Sequence, residues 1–159
     1  MNASTLQGIF FGLTKGTVTT MGIIIGLFAS APIKKAIIGA VVAATVSDTF
    51  GDSIGIFYSE KARNVENVNS NPLNVVYSLI VFKLLISLLY LLPIIFFTNL
   101  KHGVIGSLLL SGFVIVNSLT HLAKKRKENV RNFVIKNSFI IFTVILITYT
   151  IGTIINRLF

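Results

Sequence analysis

The chain has no cysteine and little charge: of its 159 residues only 12% are charged, and only five are acidic. Without cysteine there can be neither a disulfide framework nor a thiolate metal site, and the redox compartment stays open. With so few charges the chain lacks the polar skin that a water-soluble fold of this size needs. It also lacks a nucleophile, base and oxyanion arrangement, a Gly-rich phosphate loop and a Cys/His metal signature, so no enzymatic activity is expected. The opening residues, Met1 to Gln7, carry no positive charge, and the apolar stretch behind them is too long and too Gly-rich for a cleaved leader. That stretch is therefore expected to be a helix of the mature protein.

What is present is apolar. Hydrophobic residues make up 53% of the chain, and the mean hydropathy is +0.85. Runs of Ile, Leu, Val and Phe are broken by short polar segments at intervals of roughly 20 residues, the length needed to cross about 30 Å of hydrocarbon. Five spans are expected, from Gly8 to Ser30, Ala36 to Tyr58, Leu73 to Thr98, Val104 to Leu122 and Phe133 to Ile155. The fold class is thus an all-α membrane protein, with residues 1–159 forming one five-helix transmembrane domain and no separate soluble domain. Pro32 with Lys34 and Lys35 marks a tight first turn, Ser59 to Pro72 the longest connector and Asn99 to Gly103 a short turn.

The net charge of +9 reflects 14 Lys and Arg against five acids. In a soluble chain that excess would suggest nucleic acid, but no basic face carries interleaved stacking aromatics, so no nucleic-acid partner is expected. Most of the basic residues sit in connectors, where they set topology and face anionic headgroups. The connectors after spans two and four hold Lys61, Arg63, Lys124, Lys125, Arg126, Lys127 and Arg131. The opposite side holds Lys34, Lys35, Lys101 and Arg157. The richer side is expected to be cytoplasmic and to carry the N-terminus, with Phe159 on the other side.

Spans one and two are rich in small residues, which let helix backbones approach each other. In span one Gly8, Gly12 and Gly16 fall four apart, and Gly22 and Gly26 repeat that spacing. In span two Gly39, Ala43, Ser47, Gly51 and Gly55 form a ridge. Either ridge can serve a pore or dimer axis, or generic packing against a neighbouring helix.

Two acids lie inside a predicted span. Asp48 and Asp52 are four apart, one turn above the other on a single helix face. An ionised residue at membrane depth costs on the order of 2.5 to 3.5 kcal/mol, so the pair needs a role or a partner. Stacked carboxylates offer hard oxygen ligands to a divalent cation or a site for a shared proton. Alternatively they bond to Thr45, Ser47, Thr49 and Ser53, or pair with a lysine. Because spans one and two run antiparallel, Lys15 lies near the depth of Asp52, and an ion pair between them is allowed. Lys83, mid-span among Phe82, Leu84 and Leu85, either faces the acids or snorkels, and its depth favours the inward position. Thr14, Thr17, Thr20 and Met21 on span one either line a path or pack as ordinary side chains. His102 and His121 lie near opposite surfaces and cannot share one metal site within a protomer.

Several of these segments resemble the vacuolar iron transporter family of iron and manganese transporters, whose members have five spans. Gly12-Leu13-Thr14-Lys15-Gly16-Thr17-Val18-Thr19-Thr20-Met21-Gly22 is similar to the family's opening run, and Ser47-Asp48-Thr49-Phe50-Gly51-Asp52 is similar to the stretch that ends its second span. Asn71-Pro72, Leu92-Pro93 and Thr148-Tyr149-Thr150-Ile151-Gly152 also follow the family pattern. The resemblance implies a homodimer with spans one and two at its centre, exchanging ferrous or similar divalent ions for protons. By that likeness Asp52 takes the place of the family's span-two glutamate, and Asp48 falls where methionine is usual. Hard oxygen in place of sulfur shifts the preference towards manganese, magnesium or calcium. Lys15 stands where the family carries an acid, and Ser59 to Pro72 is too short for the acidic metal-collecting domain of many members.

Three readings follow from the residues. The first is a proton-coupled transporter of divalent cations such as Fe2+ or Mn2+, with Asp48 and Asp52 as its metal ligands and no permanently bound cofactor. The second is a transporter of another solute built on a Lys15 and Asp52 pair. The third is a non-transporting membrane scaffold.

Overall fold

The computed structural model describes residues 3–65 and 71–158, so residues 66–70, in the middle of the expected Ser59 to Pro72 connector, lie outside the described residues. The described elements are all helices, α1 (Ala3–Ser30), α2 (Lys34–Val65), α3 (Pro72–Phe96), α4 (Leu100–Arg126) and α5 (Val130–Leu158). All five are long and apolar enough to cross a bilayer, which makes this an all-α, multi-pass membrane protein.

Local chemistry sets the helix ends. Asn71 accepts a hydrogen bond from the backbone N–H of Asn74 at 3.3 Å, and Pro72 fills the first helical position, where no N–H is needed. Asn99 caps α4 by accepting from the N–H of Lys101 at 3.0 Å. At the other end of α4, Lys127 adopts a left-handed conformation with φ of 55° and donates its N–H to the carbonyls of Ala123 and Lys124. Lys34 reaches across from the start of α2 and donates to the carbonyl oxygens of Ile95 at 3.0 Å and Phe97 at 2.9 Å. It thereby caps the negative C-terminal end of α3.

The glycines expected to bring helices together do so in α1, where the facing helix is chiefly α3. A Cβ on Gly8 would run into the Ser78 hydroxyl and the Val75 carbonyl, and one on Gly12 would lie 2.8 Å from the Leu79 carbonyl oxygen. Gly16 completes this seam against Ile86 and Lys83. On the far half of α1, Gly26 faces α5, where a Cβ on Gly152 would come within 2.8 Å of the Ala29 Cβ, while Gly22 only borders Thr148. α1 therefore sits at the centre of the bundle. Helices α3 and α4 draw together at Pro93, where Gly103 meets the backbone of Ile94 and Ser107 donates to the Tyr90 carbonyl at 2.7 Å.

The ridge on α2 is placed differently. Gly39, Ala43, Ser47, Gly51 and Gly55 are all exposed, and a Cβ on any of the three glycines would meet nothing within 4 Å. The expectation that this ridge packs against a neighbouring helix is not met within the chain. The opposite face of α2, Ile37, Val41, Thr45, Thr49 and Ser53, is the buried one. Every residue of that stripe lies four from the next, so only one face of α2 can turn inward.

Candidate functional site: a charge cluster between three helices

Helices α1 and α2 are antiparallel in a constant register. Gln7 donates to Glu60 at 2.7 Å, Lys15 to Asp52 and Thr19 to Asp48 at 3.3 Å, and the residue numbers of each pair add to the same total. Helix α3 runs parallel to α1 and is held close by the Gly8, Gly12 and Gly16 seam. That contact sets Lys83 opposite the acidic face of α2.

The Lys83 ammonium lies 2.6 Å from Oδ2 of Asp48 and 2.5 Å from Oδ2 of Asp52. It bridges the two carboxylates in the gap between them. Lys15 pairs with the other oxygen of Asp52 and also lies 5.8 Å from the centre of the Phe11 ring. Two ammonium groups and two carboxylates thus make a tetrad of zero formal charge. The balance matters because Lys83 is only 1% exposed and Asp52 only 9%. A buried ion pair that loses one partner leaves an uncompensated charge, at a cost of about 3 to 5 kcal/mol.

The outer members are more open. Asp48 is 32% exposed and Lys15 is 41% exposed. Oδ2 of Asp48 takes both Lys83 and Thr19, while its Oδ1 has no hydrogen-bond or ion-pair partner among the described residues.

The other span-one residues fall into two groups. Thr17 donates to the Leu13 carbonyl at 2.7 Å and lies 2.9 Å from the Tyr90 hydroxyl, and Thr20 donates to Ser87 at 2.8 Å. With Met21, which is fully buried in the apolar core, these side chains belong to the α1–α3 interface. The hydrogen bonds of Thr17 and Thr20 run to α3 and to α1 itself, away from Asp48 and Asp52. Thr14 is exposed and lines a groove together with Lys15.

Comparison with known proteins gives no assignment. No family model matches the chain, and no curated protein or solved structure matches it either. The site has to be read from its own chemistry. Among the described residues, no three of His, Cys, Asp and Glu gather into a metal-ligand group. Any cation held here would rest on the two aspartates, supplemented by hydroxyl oxygens such as that of Thr19.

Sequence reasoning passed over three residues. Thr19 touches Asp48, and the α1–α2 register predicts it once Lys15 is set against Asp52. Tyr90 is fully buried and paired with Thr17, but a lone tyrosine in an apolar run carries no signal of its own. Glu60 is only 2% exposed and accepts from Gln7 and from Arg63, the latter at 3.0 Å. It lies on α2 because that helix runs past Tyr58, where polar composition suggested a connector.

Proposed function

We propose that the protein is a proton-coupled transporter of cations and that the Lys15, Asp48, Asp52 and Lys83 tetrad is its coupling centre. The observation that carries this reading is the Lys83 ammonium bridging Asp48 and Asp52. A cation that binds both carboxylates must displace that ammonium. Around the buried Lys83 and Asp52 the added positive charge is tolerated when protons leave, since neutrality is restored by one proton lost for each positive charge gained. A divalent ion would therefore exchange for two protons, with the two lysines as their source. Cation approach begins at Oδ1 of the half-buried Asp48, and Lys83 moves aside afterwards.

Carboxylate and hydroxyl oxygens are hard ligands, so manganese is the preferred probe ahead of softer metals. The likeness to the vacuolar iron transporter family supports the same direction, with iron or manganese as cargo. It also supports a homodimer, which would cover the exposed ridge of Gly39, Ala43, Ser47, Gly51 and Gly55. Ser47 and Gly51 immediately precede Asp48 and Asp52, so a twin seated there would close over the open side of the tetrad. By the distribution of basic residues, the end of the bundle with the N-terminus faces the cytoplasm.

The test is proton movement in liposomes carrying the purified protein and a trapped pH dye. A manganese gradient should drive saturable proton flux, and Asp52→Asn should abolish it. Absence of flux with manganese, iron, cobalt and calcium would leave the tetrad as a structural ion network. That second reading draws on the completeness of the pairing around Asp52, both of whose carboxylate oxygens are already bonded to lysine.

A further inference from the structure

A second feature lies at the end of the bundle that carries the N-terminus. A groove of about 730 Å³ runs along α1 and reaches the end of α4, lined by Leu6, Phe10, Phe11, Val18 and Leu122 with Lys15 and Arg126. Its lining extends on α1 from Ala3 to Val18, about 22 Å at 1.5 Å per residue. That is somewhat more than the roughly 15 Å depth of one bilayer leaflet's hydrocarbon. Beside it, under the α4–α5 turn, is a polar recess of about 560 Å³ lined by Arg126, Glu128, Asn129, Asn132 and Lys136. Arg126 lines both cavities.

An apolar groove joined to a polar, basic recess has the division of a lipid. Arg126 forms an exposed ion pair with Glu128, Nε to Oε1 3.0 Å, and its terminal nitrogens can still donate to another anion. Glu128 is the recess's one acid among the described residues, set against Arg126 and Lys136, and the flanking Lys124, Lys125, Lys127 and Arg131 are all basic. Such a cluster at the end of membrane helices attracts anionic headgroups.

We infer that the two cavities together hold one anionic phospholipid, with an acyl chain in the groove and its phosphate against Arg126 and Lys136. The chain would lie along the stem of Lys15 and shut water away from its bond with Asp52. Charge complementarity favours an anionic lipid over a zwitterionic one, and the polar recess favours a phosphate headgroup over a bare fatty-acid carboxylate.

Native mass spectrometry of the full chain in detergent with equal amounts of phosphatidylglycerol and phosphatidylcholine tests this. Wild-type protein should retain phosphatidylglycerol about tenfold more than phosphatidylcholine, and the exposed pair Arg126→Gln/Lys136→Gln should lose that preference. The pair Lys124→Gln/Lys125→Gln, equal in charge and outside both cavities, should keep it, and Leu122→Trp should reduce retention by filling the groove. Equal retention of the two lipids by wild-type protein would overturn the assignment. So would an equal loss in both charge pairs, which marks a diffuse basic surface, or displacement of phosphatidylglycerol by an equal concentration of oleate, which marks a fatty-acid site.

Discussion

Gly16 on α1 and Lys83 on α3 stand so close that a methyl group on the glycine would come within 3.3 Å of the lysine Cγ. The small residue lets the lysine stem pass between two helices, and the ammonium then reaches the aspartates of a third. Packing and charge placement are therefore one arrangement. Gly16→Val should push Lys83 off its bridge and destabilise the protein by about 1 to 3 kcal/mol, as overpacking does. Gly39→Ala, on the open ridge of α2, should change the stability of the single chain by less than about 0.5 kcal/mol. Thermal unfolding in detergent compares the two.

Removing the bridge itself should cost more. Lys83→Met leaves two carboxylates one turn apart with a single lysine, and about 3 to 5 kcal/mol of stability should be lost. Adding Asp48→Asn to that variant restores charge balance and should recover a large part of the loss. The coupling energy of the double-mutant cycle is the quantity to measure. Additive effects would mean that the bridge is not formed in the folded protein.

The Thr17–Tyr90 hydroxyl pair between α1 and α3 makes a smaller contribution. Tyr90→Phe and Thr17→Val each remove one partner of a buried hydrogen bond and should each cost about 1 kcal/mol. Together they should cost less than the sum, since each leaves the other's partner already unpaired. Cation-driven proton flux should survive both changes, because neither hydroxyl touches the tetrad.

The absence of cysteine allows a direct contact test of the exposed α2 ridge. Gly51→Cys should form a covalent dimer on mild oxidation if a twin covers that face. Leu85→Cys, at a 57% exposed position on α3, should remain monomeric. The reverse pattern would place the twin on α3.

The five helices were legible because apolar runs of bilayer length leave few alternatives, and the antiparallel turn between the first two put Lys15 level with Asp52. Depth alone also favoured an inward Lys83. The partner of the α1 glycine seam was not legible: spacing four apart shows that a face is flat, and says nothing of which helix meets it. Span two appeared to end at Tyr58 because Glu60, Lys61 and Arg63 read as a connector. The helix continues because Glu60 finds Gln7 and Arg63 as partners, and such partners are recognised only after the helices are side by side. The tetrad's neutrality was hidden for the same reason, since Lys83 comes from a third helix whose facing direction was open.

On the proposed mechanism the Lys83 ammonium holds the place of a transported cation. Calorimetry of manganese binding, carried out in two buffers of different ionisation enthalpy, counts the protons released as the metal binds. Wild-type protein should release protons, and Lys83→Gln should bind manganese more tightly while releasing fewer. Manganese binding with no proton release, or no binding by either protein, would contradict the claim.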